Sequence, residues 1–152
     1  MAKAEQCILT NMCMITDAEG RVLVQDRVDP RWRGLSFPGG HVAPGEPFVD
    51  SVIREVREET GLTIQQPRLC GLKQFQTDRG ERYVVLLFKA DRYTGELKAS
   101  DEGAVFWLHP SQLGDYALTE DFDRTLQVFM NDTLSEFCYY QLPDGQWRHK
   151  LV

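Results

Sequence analysis

The stretch "GGHVAPGEPFVDSVIREVREETGL", Gly39 to Leu62, constrains this chain most strongly, because it marks both ends of one helix. Pro47 suits a first helical position, where its missing N–H costs nothing, and Gly61 suits the left-handed residue that closes a helix. The spacing predicts a helix over 47–60, entered from a glycine turn. With Phe48 at 0° and about 100° per residue, Val52, Val56, Val49 and Ile53 fall at about 40°, 80°, 100° and 140°, an apolar arc that packs on a core. On the same wheel Glu59 lies at about 20°, Glu55 at about −20° and Glu58 at about −80°, so three carboxylates cluster along one edge of the buried stripe.

Carboxylates three and four residues apart repel by roughly a few tenths of a kcal/mol per exposed pair, and by more beside an apolar wall. A charged turn with intrahelical ion pairs is the ordinary reading of "REVREE". Two features favour a bound cation instead: the carboxylates border the apolar stripe, and a glycine-rich loop leads directly into the helix. Hard carboxylate oxygens suit Mg²⁺ or Mn²⁺. Gly39 and Gly40 let the backbone approach such an ion, and their carbonyls can add a ligand. Arg54, at about −120° on the wheel, is next to Glu58 and within reach of Glu46 at the loop end, so Arg54 and Glu46 read as orienting residues.

Elsewhere the chain reads as one domain spanning 1–152. Its 152 residues suffice for one core, and no linker or repeat divides them. Strands are predicted over 6–16 and 21–27, as a hairpin about the "DAEG" turn, and over 69–77, 82–90 and 104–108. Residues 28–46, around Trp32 and Phe37, form a structured loop with room for one short strand. A second helix is expected over about 120–131, with Phe122, Leu126 and Phe129 on one side, and two short strands flank the turn at 143–145. Cys7, Cys13, Cys70 and Cys138 include no C-x-x-C pair and read as small buried hydrophobes in strands. The N-terminus lacks the pattern of a signal peptide and no apolar run suggests a membrane span, so a cytoplasmic location is expected. A net charge of −6, from 17 basic against 23 acidic residues, argues against a nucleic-acid polymer as partner. It remains compatible with a small phosphorylated ligand held through metal ions.

Gly40, Glu46 and the run Arg54-Glu55-Val56-Arg57-Glu58-Glu59-Thr60-Gly61-Leu62 resemble the signature of the Nudix hydrolases at every specified position. Chance agreement is on the order of 10⁻¹⁰ per window at average residue frequencies, which leaves coincidence aside. The resemblance implies an α/β (α+β) fold, an α/β/α sandwich with a mixed β-sheet between helices. It implies hydrolysis of a nucleoside diphosphate linked to another group, with Mg²⁺ or Mn²⁺ holding the phosphates while water attacks phosphorus. Carried over by resemblance, Glu58 and Glu59 are metal ligands, Glu55 a ligand or the base that activates water, and the Gly40 carbonyl a further ligand. Glu102 of "SDEG" either adds a metal contact or belongs to a polar turn.

Chain length and the "FPGG" loop resemble the MutT-like nucleoside triphosphate diphosphatases, which cleave oxidised purine triphosphates such as 8-oxo-dGTP. On that comparison Arg27 approaches the nucleotide, and Phe37, Glu81 and Arg82 lie on the base side. Arg27 reads equally as a surface charge, and Phe37 as core. Where MutT reads the oxidised base with an asparagine, this chain has Thr119, Glu120 and Asp121, whose acids can accept hydrogen bonds from a purine edge. Thr77, Arg79 and Gly80 stand where ADP-ribose and dinucleoside polyphosphate hydrolases tend to carry proline and tyrosine. The expected partner is a small nucleotide bound by a monomer or homodimer. The competing readings are a hydrolase of another diphosphate, such as a nucleotide sugar, ADP-ribose or a dinucleoside polyphosphate, and a catalytically silent nucleotide-binding module.

Overall fold

The computed structural model describes residues 2–152. In chain order come β1 (Cys7–Ile15), β2 (Val22–Arg27), β3 (Gly34–Ser36), α1 (Phe48–Thr60), β4 (Leu62–Gln65), β5 (Arg68–Gln76), β6 (Arg82–Ala90) and β7 (Arg92–Gly95). They are followed by β8 (Gly103–Leu108), a 3-10 turn (Pro110–Asp115), α2 (Phe122–Met130), β9 (Glu136–Gln141) and β10 (Trp147–Leu151).

β6 organises the fold because its run "VVLLF" is apolar on both faces, as a strand covered on both sides requires. β1 pairs with it in parallel and β5 antiparallel, while β9 joins β5 in parallel and β10 completes the sheet, in the order β1-β6-β5-β9-β10. A second sheet has the order β3-β2-β8, and β4 pairs with β7. Strand alternation then divides the apolar residues between two cores. Cys13, Ile15, Leu23, Leu86 and Phe88 pack with Val52 and Val56 of α1. Met14, Val22, Val24, Val85 and Leu87 face the other way and pack with Phe122, Val128 and Phe129 of α2. The result is the expected sandwich, with a mixed sheet between helices.

Several expectations need correction. β1 and β2 are not a hairpin: apart from one bridge between Thr16 and Val22, they belong to different sheets. The turn between them is made locally, since the Asp17 carboxylate accepts from the backbone N–H of Glu19 and Arg21 and pairs with Arg21 Nε at 2.7 Å. A local turn does not decide partners, and β1 instead runs along β6 from Cys7 to Ile15. The apolar arc expected on α1 holds at Val52 and Val56 but fails in the first turn, which projects beyond the core. Phe48 and Val49 are exposed, whereas Ser51, Val52, Val56, Glu59 and Thr60 are buried. Glu59 therefore sits within the buried face and not on its edge. Pro47 precedes the helix as its N-cap, with ψ at 141°, and Gly61 ends it at φ 77°. Cys7 is exposed, although Cys13 and Cys138 are buried as expected. The short strands β4 and β7, and the 3-10 turn, escaped the sequence because each is too brief to establish a period.

Phe37 is 0% exposed and meets Phe122 and Phe129 edge-on, with ring centroids 4.9 and 5.2 Å away. It is a core residue, which removes it from the base side. Phe37→Ala is expected to lower the free energy of unfolding in urea by roughly 3–5 kcal/mol, the cost of emptying a packed aromatic site. A loss below about 1 kcal/mol would contradict this placement.

Candidate functional site

The site begins with two glycines pressed against β1. Asn11 donates its backbone N–H to the Gly40 carbonyl at 2.8 Å, and Gly40 N–H donates to Asn11 Oδ1 at 3.2 Å. A Cβ on Gly39 would strike the Asn11 carbonyl, and one on Gly40 would strike the Glu55 carboxylate. Only glycine lets the loop lie between β1 and α1. Gly39 N–H then donates to Glu59 Oε2 at 3.0 Å. Burial pushes the Glu59 carboxyl up to about 7, against the pull of that hydrogen bond and of Arg27, with Glu55 and Glu102 adding to the rise. Burial likewise raises Glu55.

Arg54 holds the outer side of the cluster. Its Nε and Nη2 bind the two Glu46 oxygens at 2.8 and 2.9 Å, a bidentate pair, and Nη2 also donates to the His41 carbonyl at 3.0 Å. Its Nη1 reaches Glu55 Oε1 at 2.9 Å and Glu58 Oε2 at 3.3 Å. Glu46 in turn accepts from Ala43 N–H at 3.0 Å. One guanidinium thus ties the loop before α1 to the two outer carboxylates, the orienting arrangement expected of Arg54 and Glu46.

Glu55, Glu58, Glu59 and Gly40 line one cleft of about 520 Å³, together with Arg27 and Glu102. Arg27 Nη2 lies 3.7 Å from Glu102 Oε2, while its Nε is buried without a hydrogen-bond partner. Among the described residues no three His, Cys, Asp or Glu side chains close on a common point, and Arg54 is the cation between Glu55 and Glu58. The donor set is nonetheless what a hard divalent ion takes: carboxylate oxygens and a carbonyl with a second lone pair free. Gly40 leaves the space that the Glu55 carboxylate fills.

The remaining walls of the cleft differ from expectation. They include Trp32, Phe75 and Tyr83, with Lys73 and Glu120 also lining it. Phe75 and Tyr83 are cross-strand partners whose rings stack at 4.9 Å and 15°. Glu81 and Arg82 are not part of this wall. Glu81 accepts from the Thr77 hydroxyl in the β5–β6 turn, and Arg82 pairs with Glu5 at 3.0 Å and Gln74 at 2.9 Å. The expectation was one residue out, and one residue reverses the face of a strand. Asp121 also turns away: at φ 63°, its Oδ1 accepts from Tyr139 at 2.8 Å and Arg124 at 3.1 Å. Glu120 takes the place by the cleft. Lys73 gave no signal in a strand of mixed polarity, and β-register alone brings it there.

The NUDIX domain family matches residues 9–129, most of the chain and every residue lining this cleft, leaving out the last strands of the fold. The chain belongs to the Nudix family. An uncharacterized Nudix hydrolase of Bacillus subtilis, YvcI, is 39% identical over 104 residues, covering 65% of this chain and 63% of that protein. An ADP-ribose pyrophosphatase of Methanocaldococcus jannaschii is 34% identical over 91 residues, covering 58% of this chain and 53% of that one. The matches thus span between half and two thirds of these relatives' length. Among solved structures, the MutT protein of Bacillus halodurans superposes with a TM-score of 0.74 at 25% identity, covering 95% of this chain and 97% of its own. No helix among the described residues is long and apolar enough to cross a membrane.

The Arg54 clamp has a pH signature. The Glu46 carboxyl is lowered from 4.5 to about 2, chiefly by its hydrogen bonds with Arg54. A depressed acid stabilises the fold fully above its unfolded value, so this contribution persists above about pH 4.5 and disappears as pH falls toward about 2. Glu46→Ala is expected to remove the acid-dependent part and, by deleting the oxygen that accepts from Ala43 N–H, to expose that amide, read by NMR hydrogen exchange near neutral pH. Unchanged Ala43 protection would contradict the clamp.

Proposed function

We propose that this Nudix protein is a Mg²⁺- or Mn²⁺-dependent nucleoside triphosphate diphosphatase of the MutT type, acting on oxidised purine nucleotides such as 8-oxo-dGTP. The observation that carries the reading is one cleft lined both by Glu55, Glu58, Glu59 and Arg27 and by Trp32, Phe75, Tyr83 and Glu120, with the Phe75 and Tyr83 rings stacked. The likeness to MutT over nearly the whole chain supports it.

Glu58 and Glu59 would hold the cation, with the Gly40 carbonyl and Glu102 as further ligands. The bound cation neutralises phosphate charge and lowers the barrier to attack at phosphorus. Glu55 is a ligand or takes the proton of the attacking water; Arg54 and Glu46 fix its position. Arg27, with an unused buried N–H, binds phosphate oxygens. Gly39 sets the Glu59 carboxylate through its N–H. Water adds to phosphorus, one phosphoanhydride bond breaks, and the nucleoside monophosphate leaves with pyrophosphate. The base lies among Trp32, Phe75 and Tyr83, where Glu120 accepts from its edge. The protein is placed in the cytoplasm, where free nucleotides are the substrate pool.

Purified protein with Mg²⁺ is expected to release pyrophosphate from 8-oxo-dGTP with a higher kcat/KM than from unmodified dNTPs, and to act weakly on ADP-ribose. Glu58→Gln should lower kcat by about 10²–10³, since removing one such electrostatic group has that scale. Preference for ADP-ribose would move the activity to the class of the archaeal relative. Absence of any hydrolysis, with nucleotide binding retained, would make the protein a silent binding module.

A further inference from the structure

Lys73 is a lysine inside the molecule that the reaction does not yet use. Its side chain is 14% exposed, and its Nζ lies 5.8 Å from the centre of the Phe75 ring and 5.6 Å from that of Phe137. The nearest anion, Asp121 Oδ2, is 3.9 Å away, beyond hydrogen-bonding range, while Asp121 Oδ1 accepts from Tyr139 and Arg124. A buried ammonium costs stability unless its donors are used. Burial lowers its pKa, while Asp121 and Glu120 oppose that shift and favour the charged form.

β-register fixes where those donors point. Thr10 of β1, Val85 of β6, Lys73 of β5 and Phe137 of β9 lie in one lateral row. Thr10, Val85 and Lys73 all line the cleft, so Lys73 stands two strand spacings, about 10 Å, from the β1 strand against which the glycine loop packs. Glu120 lines the same cleft, and both residues also line an adjoining hollow of about 550 Å³. Lys73 supplies only donors and Glu120, ionised, only acceptors.

We propose that Lys73 and Glu120 together select bases presenting a carbonyl beside a ring N–H, the lactam edge of an oxopurine, and reject adenine. Lys73 donates to the carbonyl and Glu120 accepts from the adjacent N–H. Adenine presents an amino donor beside a ring-nitrogen acceptor, so both polarities are reversed and both protein groups lose their partners. Such mismatches discriminate more strongly than a missing methylene does. The lactam has two sources: the O6 and N1–H of any guanine, or the O8 and N7–H that oxidation adds to either purine. The inference rests on the nucleotide reading above and names the residues that set its base preference.

The test compares kcat/KM for dATP, 8-oxo-dATP, dGTP and 8-oxo-dGTP in the wild type, Lys73→Met and Lys73→Gln, with melting temperatures to confirm folding. The wild type should prefer lactam-bearing substrates to dATP, and Lys73→Met should reduce that preference about 10- to 100-fold, mainly through KM, the scale of a charged hydrogen bond. Lys73→Gln, which keeps a donor, should recover part of it. Activity on dGTP equal to that on 8-oxo-dGTP assigns the 6-oxo edge, and 8-oxo-dATP strongly above dATP assigns the oxidised edge. If Lys73→Met lowers all four substrates by one factor, or leaves the ratios unchanged, the proposal is overturned. Should no triphosphate be hydrolysed, the triphosphatase reading fails separately, and calorimetric titration with dAMP, dGMP and 8-oxo-dGMP decides: Lys73-dependent preference upholds this assignment, and its absence overturns it.

Discussion

A carboxylate set into the apolar face of a helix is costly, and the geometry of this protein follows from where it places one. Glu59 lies among Val52, Val56 and Thr60 on the buried side of α1, with Gly39 N–H as its hydrogen-bond donor. Burial resists its ionisation. A fixed carboxylate with little protein compensation suits an ion that arrives from outside. Gly39 and the charge of Arg27 act on that group directly, while the Arg54 clamp holds the neighbouring Glu55 and Glu58.

The sheet provides the other coordinate. β6, covered on both faces, holds β1 and β5 at its two sides, so that Thr10 of β1, Tyr83 and Val85 of β6, and Lys73 and Phe75 of β5 line one cleft together with Gly40 and the α1 carboxylates. Strand order therefore sets which side chains share the cleft with α1.

Legibility in the sequence divides along the same line. Glu55, Glu58 and Glu59, the Arg54–Glu46 pair and Gly61 could be read because a helix places its residues by local geometry alone. The sandwich could be read because the strand and helix runs are apolar with the correct periods. Phe37 was ambiguous, since an aromatic beside a glycine loop suits core and ligand equally. Tyr83 was missed in favour of Arg82, and Lys73 was missed altogether, because cross-strand register decides which side chains face the cleft and no single strand encodes it. The same reason explains β1, whose local turn suggested β2 while its partner was β6, some seventy residues away.

A divalent cation site made by the α1 carboxylates and the glycine loop is what the proposed chemistry depends on. Mn²⁺ binding followed by electron paramagnetic resonance, in the wild type and in Glu59→Gln, probes that site without substrate or turnover. Binding to the wild type is expected to be saturable and to weaken at least about tenfold in the variant, as loss of a ligand requires. Equal binding to both proteins, or no binding to the wild type, would contradict it.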